Sequence, residues 1–231
     1  IGIFMKKASR KYSSQSAFTL LELVFVIVVI GILAAVIIPS TRTNPVQEAA
    51  IQLVNHIRYT QHLAMMDDKF DVDDKWYEER WQVRFTSDGI AETGYTAAYA
   101  VFSDWMGMHS GDPNNLDELA KDPLTGNAIT GGVTNNVLYG DPGVFSKANL
   151  GIYYGIKNIT FSSSCQYYRS MRIAFDHFAR PIKGNIGSPS VNSNIDSLKL
   201  ITQRCEITLH RDAESVTIAI EPETGYARIL E

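Results

Sequence analysis

The chain opens its hydrophobic pattern with a run that has no polar face. Residues 18–39 read FTLLELVFVIVVIGILAAVIIP, and Glu22 is their one charged side chain. As a helix, these 22 residues would span about 33 Å, the thickness of a bilayer's hydrocarbon core. From Leu23 to Ile38 every helical face is apolar and much of it β-branched, unlike a buried helix of a soluble domain. A secretory signal peptide is the rival reading. Its apolar core is usually shorter, about 7–15 residues, and Pro39-Ser-Thr-Arg is a poor cleavage site. A lone carboxylate in such a run costs about 3 kcal/mol or more at a helix centre, so Glu22 is a functional candidate by default.

After Pro39 the pattern takes a period of 3.6. Asn44 followed by Pro45 predicts a helix start, with Gln47 completing a variant capping box. Ala50, Leu53, Val54, Ile57, Gln61 and Ala64 then mark the buried face of an amphipathic helix over about 45–66. A kink or break at 39–44 separates it from the apolar run. Arg58, His62 and the acids should face water. Beyond residue 76 the period becomes two. Trp81, Val83 and Phe85 recur at every second position, as do Tyr95, Ala97, Tyr99 and Val101; Met171, Ile173 and Phe175; Cys205, Ile207 and Leu209; and Val216, Ile218 and Ile220. A turn at Glu221-Pro-Glu-Thr-Gly225 leads into Tyr226–Leu230. Helix first and strands after predict an α+β fold, with the long N-terminal helix packed on a curled antiparallel sheet. Residues 104–149 hold 7 Gly, 3 Pro and 6 Asn in 46 positions, which predicts loop, with a short helix near Leu116–Lys121. Gly184–Ser197 reads as a second exposed loop.

Charge sets the orientation. Lys6, Lys7, Arg10 and Lys11 precede the apolar run and no acid accompanies them, so the N-terminus is expected to stay cytoplasmic. The remainder is then expected outside. Met5 is expected to begin the natural protein, with Ile1–Phe4 upstream of it. The whole chain carries 21 basic and 25 acidic residues, net −4; without residues 1–17 four cations go, leaving net −8 over 214 residues. A net-acidic exported domain of that size can bury a core of its own and does not favour nucleic acid through overall charge.

Ala17-Phe18-Thr19-Leu20-Leu21-Glu22-Leu23 resembles the cleavage and methylation motif of type IV prepilins and type II secretion pseudopilins. The resemblance implies that a prepilin peptidase cuts the Ala17–Phe18 bond and N-methylates Phe18. Glu22 falls on the family's acidic fifth position, which implies a role in subunit assembly by pairing with a neighbour's new N-terminal amine. Gly31 and Pro39 fall where many members carry helix-loosening residues. Ala17 departs from the usual Gly. The implied organisation is a cleaved leader at 1–17, a transmembrane and assembly helix at 18–39, and a periplasmic or extracellular globular domain at 40–231. The protein would span the inner membrane once and assemble with other pilin-like subunits. The helix-then-strand order, with W-x-V-x-F at Trp81–Phe85, RIAFDHFARPIKG and a closing hairpin, is similar to GspH/FimT-type minor pseudopilins. Residues 104–149 have no counterpart there. Their bulk favours a minor subunit, placed at a filament surface or tip.

Cys165 and Cys205 lie in the exported part, where a disulfide is the natural reading and two free buried thiols the alternative. Asp67, Asp68, Asp71, Asp73 and Asp74 read as a solvated turn or a calcium loop; they lack EF-hand spacing, and Lys69 and Lys75 interleave. Asp122-Pro-Leu-Thr-Gly126 is reminiscent of a calcium-loop segment of major pseudopilins, without the acids that should follow. His56 and His62 are six apart, unsuited to an i, i+4 metal pair. No HExxH, G-x-S-x-G, P-loop or Cys-x-x-Cys occurs, so neither enzyme chemistry nor a cofactor is expected. The rival reading from another class is a competence-type minor pilin that binds DNA through Arg169, Arg172, Arg180 and Lys183. A third is a membrane-anchored domain that never polymerises.

Overall fold

The computed structural model describes residues 19–40, 44–72, 76–87, 90–105, 111–186 and 199–230, with the side chains of the first helix described as far as Leu33. The chain divides into two compact units, Ile1–Thr43 and Asn44–Glu231. Ala17 and Phe18 lie outside the described residues, as do residues 41–43 of the expected break, 73–75 of the acidic cluster and 187–198 of the second expected loop.

The first unit contributes α1 (Leu20–Ser40). It continues as helix through Gly31 and Pro39, where the sequence predicts loosening. Pro39 falls in the last turn, where its missing N–H removes one hydrogen bond and no further turns have to follow. Among the described residues no helix is long and apolar enough to cross a membrane. The crossing expected for 18–39 therefore rests on the sequence.

The second unit is built on α2 (Pro45–Met66). Asn44 caps it, its side chain accepting from the Gln47 N–H at 3.2 Å. Val46, Ala49, Ala50, Leu53, Val54, Ile57 and Ala64 form its buried stripe. That stripe covers two four-stranded antiparallel sheets rather than one. The first runs β2 (Ala98–Phe102), β1 (Gln82–Thr86), β4 (Arg172–Phe175), β5 (Pro181–Lys183). The second runs β3 (Asn158–Phe161), β6 (Cys205–Arg211), β7 (Glu214–Ile220), β8 (Ala227–Ile229). Leu53, Ile57, Val83, Tyr99, Ile159, Ile173, Ile207 and Ile218 belong to one shared core. At the seam between the sheets the Ser87 hydroxyl donates to the Ile159 carbonyl (2.9 Å) and accepts from the Ile159 N–H (3.0 Å). A side chain thus replaces the ladder partner that the outer edge of β3 lacks.

Three sequence expectations differ from the structure. The strand expected from Tyr95 begins at Ala98, because Gly94 and Tyr95 both take positive φ and turn the chain first. β2 is also buried on both faces, not one. The reason is the 104–149 segment, which is irregular yet packed. Leu119, Ala128 and Val133 cluster on Ala98, Ala100 and Phe102. Backbone bridges join Leu119 to Phe102 and Thr130 to Ala100, closing the edge of β2. The expected helix at 116–121 is a single 3-10 turn, Leu116–Glu118. A final short helix, α3 (Leu150–Tyr154), is capped by Asn149, whose side chain accepts from the Ile152 N–H at 2.9 Å.

Candidate functional site

Thr19 stands immediately before α1, and its hydroxyl and carbonyl both accept from the Glu22 N–H, at 3.3 and 3.1 Å. Thr-x-x-Glu is the spelling of a capping box, a signal the sequence carries and the periodicity reading passes over. Glu22 therefore sits in the first turn, where the helix dipole favours a carboxylate by about 0.3–1 kcal/mol when exposed. The side chains behind it are bare. Leu20 and Leu21 are each 80% exposed, and Phe25, Ile27, Ile30 and Leu33 are exposed as well. Burying one such side chain is worth about 1.5–3 kcal/mol, so this helix calls for an apolar partner.

Cys165 and Cys205 are bonded to each other across a sequence separation of 40. Cys165 ends the turn that follows β3, and Cys205 opens β6; both are fully buried. The same corner is held by Ser162, whose hydroxyl accepts from the Glu206 N–H at 2.9 Å, and by Ser164, whose hydroxyl donates to the Arg204 carbonyl at 2.6 Å.

An open groove of about 790 Å³ lies between the outer flank of α2, the Asp122–Asn127 turn and the Val144–Lys147 segment. Ile51, Tyr59, Leu124 and Tyr153 line it, with Glu48 and Lys147 as charged rim. Its floor holds a polar chain that sequence spacing does not reveal. His56 Nδ1 lies 2.7 Å from Tyr99 Oη, and His56 Nε2 lies 3.4 Å from Asp122 Oδ1. Burial lowers the His56 pKa, and Asp122 only partly offsets this. Burial would raise the Asp122 pKa, but N–H and O–H donation from Thr125, with His56, outweighs it and leaves the carboxyl below its ordinary value. An Asp–His–hydroxyl series resembles a nucleophilic triad. Here the hydroxyl is Tyr99, fully buried, its pKa pushed up chiefly by burial, so it cannot reach a substrate or ionise.

Most of the remaining sequence candidates are occupied within the chain. Arg172 is buried and pairs with Asp112 at 2.5 Å. Arg180 pairs with Asp176 at 2.7 Å, and Lys183 donates to the Ser164 carbonyl at 2.9 Å. Arg169 is the exposed member of that quartet. Asp67 accepts from Lys69 (2.7 Å) and from the Trp81 indole N–H (2.9 Å). Among the described residues no group of three His, Cys, Asp or Glu could hold a metal ion.

Residues 12–38 match the family model of the prokaryotic N-terminal methylation motif. The match supports a pilin- or pseudopilin-type precursor, and such a precursor implies processing by prepilin peptidase and assembly with other pilins. The motif takes in Thr19, Glu22 and the exposed apolar stretch of α1, and it belongs to structural subunits rather than to enzymes. Comparison with curated proteins and with solved structures gave no match to this chain.

Proposed function

We propose that the protein is a minor structural subunit of a type II secretion pseudopilus or a type IV pilus. It is made as a prepilin, cut between Ala17 and Phe18 and N-methylated on Phe18. It waits as a single-pass inner-membrane protein with its N-terminus cytoplasmic and residues 40–231 periplasmic, and passes to the extracellular side within a filament. The observation that carries this reading is one coincidence. The methylation motif falls on a helix whose apolar side chains from Leu20 to Leu33 are exposed, with Val29 half-buried, and whose first turn holds a single acid, Glu22. Apolar packing between such helices supplies the drive for assembly. Glu22 supplies register by pairing with the amine that cleavage creates on a neighbour, which removes much of the cost of burying either charge alone. The order of α2, the Trp81–Phe85 strand and the closing β6–β8 hairpins supports a GspH/FimT type within that class.

The test is expression of the full chain with and without a prepilin peptidase, followed by intact-mass and N-terminal analysis. Loss of residues 1–17 and gain of one methyl on Phe18 are expected. Glu22→Ala is expected to be processed but to fall out of filaments. An uncut Ala17–Phe18 bond would overturn the reading, as would wild-type entry of Glu22→Ala into filaments.

A further inference from the structure

The groove floor is a hydrogen-bond chain whose direction the geometry fixes. The Gln52 Nε2 lies 2.9 Å from the Lys147 carbonyl and 2.9 Å from Tyr99 Oη. A carbonyl cannot face another carbonyl, so the amide nitrogen points this way and donates to both. Gln52 Oε1 then accepts from Tyr154 Oη at 2.8 Å. Because Tyr99 Oη accepts from Gln52, its own proton is left for His56 Nδ1. A bare Nδ1 places the ring proton on Nε2, facing the Asp122 carboxylate. Every donor from Tyr154 to His56 therefore points toward Asp122, and every buried group is satisfied only while His56 is neutral.

Asp122 also organises the strap Asp122–Asn127. Its Oδ2 accepts from the N–H and O–H of Thr125, at 2.8 and 2.7 Å, and its carbonyl accepts from the Gly126 N–H at 2.8 Å. Pro123, Leu124, Thr125 and Gly126 are exposed. Among the described residues, the side-chain link from this strap to α2 is His56–Asp122.

We infer that His56 and Asp122 form an acid-released latch: protonation of His56 breaks its bond to Tyr99 and swings the imidazolium, with Asp122 and its strap, out into the groove. A second ring proton would sit on Nδ1 and meet the Tyr99 O–H head to head. The Tyr99 oxygen already accepts from Gln52, and among the described residues its proton has no other acceptor at this fully buried position. Tyr99 is held in the middle of β2, paired with Phe85, and cannot yield. The strap is exposed and can. The charged and titratable groups around the site are Asp122 from the strap, Tyr59 and Glu48 from α2, Lys147 from the segment before α3, Tyr153 and Tyr154 from α3, and Tyr99 from β2. Asp122 favours the imidazolium, by hydrogen bond and by charge. Burial opposes it and is the larger effect. Released, the imidazolium keeps its pairing with Asp122 while gaining water, and the turn that Asp122 closes onto the Thr125 and Gly126 N–H groups loses its buried anchor and opens more often.

The test uses the full chain in detergent micelles. Side-chain nitrogen NMR should report a neutral His56 protonated on Nε2, titrating below the ordinary imidazole value of about 6.5. Tyr99→Phe removes the head-to-head conflict and the proton given to Nδ1, so His56 should then titrate higher than in the wild type. Amide exchange at Thr125 and Gly126, corrected for its intrinsic pH dependence, should rise about tenfold or more as wild-type His56 titrates, the factor that one unsatisfied buried hydroxyl is worth. The latch is overturned by a neutral His56 protonated on Nδ1, by a Tyr99→Phe titration equal to or below wild type, or by exchange that ignores the His56 midpoint. The tautomer and exchange readings need no variant, so they decide the matter even if Tyr99→Phe does not fold.

Discussion

Replacing both cysteines by alanine tests how β6 is held to the turn that follows β3. The bond between Cys165 and Cys205 closes a loop over a sequence separation of 40. In the chain-entropy treatment, opening such a loop frees the unfolded state by about 4 kcal/mol. The native corner keeps its other ties, the Ser162 hydroxyl to the Glu206 N–H and the Ser164 hydroxyl to the Arg204 carbonyl. The fold should therefore survive, with its stability reduced. For a domain of this size 1 kcal/mol moves the melting temperature by about 2–4 °C, so the expected drop is about 8–16 °C. Urea unfolding of the full chain in detergent, followed by tryptophan fluorescence, gives the free energy directly. The slope against urea should rise as well, because an uncrosslinked unfolded chain exposes more surface. Cross-linking as the main role of this pair would be refuted by a loss under about 1 kcal/mol with an unchanged slope. Mass spectrometry showing both thiols free in exported wild type would refute the premise.

Three further outcomes are expected. Asn149→Ala should destabilise by about 3 kcal/mol in the same urea assay. It removes the cap of α3 together with bonds to the Thr96 hydroxyl and the Thr93 and Gly131 carbonyls, all at a fully buried site. Ser87→Ala should cost about 1–3 kcal/mol and speed amide exchange at Ile159, whose N–H loses its partner at the seam between the sheets. Stability should fall as pH drops. The His56 pKa is lowered on folding, so its contribution is full above the ordinary imidazole value of about 6.5 and is lost below it. The Asp122 and Asp67 pKa values are also lowered, in each case against the opposing effect of burial, and their contributions are lost at still lower pH. A urea midpoint that is flat or rising from pH 7.5 to pH 5 would contradict the His56 part.

What the sequence makes legible is whatever depends on near neighbours in the chain. Asn44, Pro45 and Gln47 spell the start of α2 within four residues, and the helix begins at Pro45. The alternation of Cys205, Ile207 and Leu209, and then of Val216, Ile218 and Ile220, is read directly because β6 and β7 are each seven residues long and half-buried. β3 escapes notice because its alternation, Asn158-Ile159-Thr160-Phe161, runs for only four residues. The division into two sheets depends on Ser87 reaching Ile159, 72 positions away. The 104–149 segment misleads for a related reason. Its Gly, Pro and Asn content correctly excludes regular elements, but composition does not tell an exposed loop from one that packs on an edge strand. His56 shows the same limit. As one histidine among five it carries no signal, since its partners Tyr99 and Asp122 lie 43 and 66 positions away.

These distant contacts trace back to a single helix with two uses. The buried stripe of α2 seats both sheets, and the residues one step around the helix, Gln52 and His56, are a turn apart and so reach the same point on β2. Tyr99 is that point because alternation along β2 turns Ala97, Tyr99 and Val101 toward the main core, leaving Ala98, Ala100 and Phe102 to the other side. That second face would be bare apolar surface on an edge strand without the 104–149 segment. The same segment that covers it also carries Asp122 round to His56. One insertion therefore closes the sheet edge and builds the outer wall of the groove. The buried polar chain consequently runs from Tyr99, in the core that α2 shares with both sheets, out to the strap, the exposed part of that insertion. For that reason a charge change at His56 can be expressed at the surface while the fold beneath it stays intact.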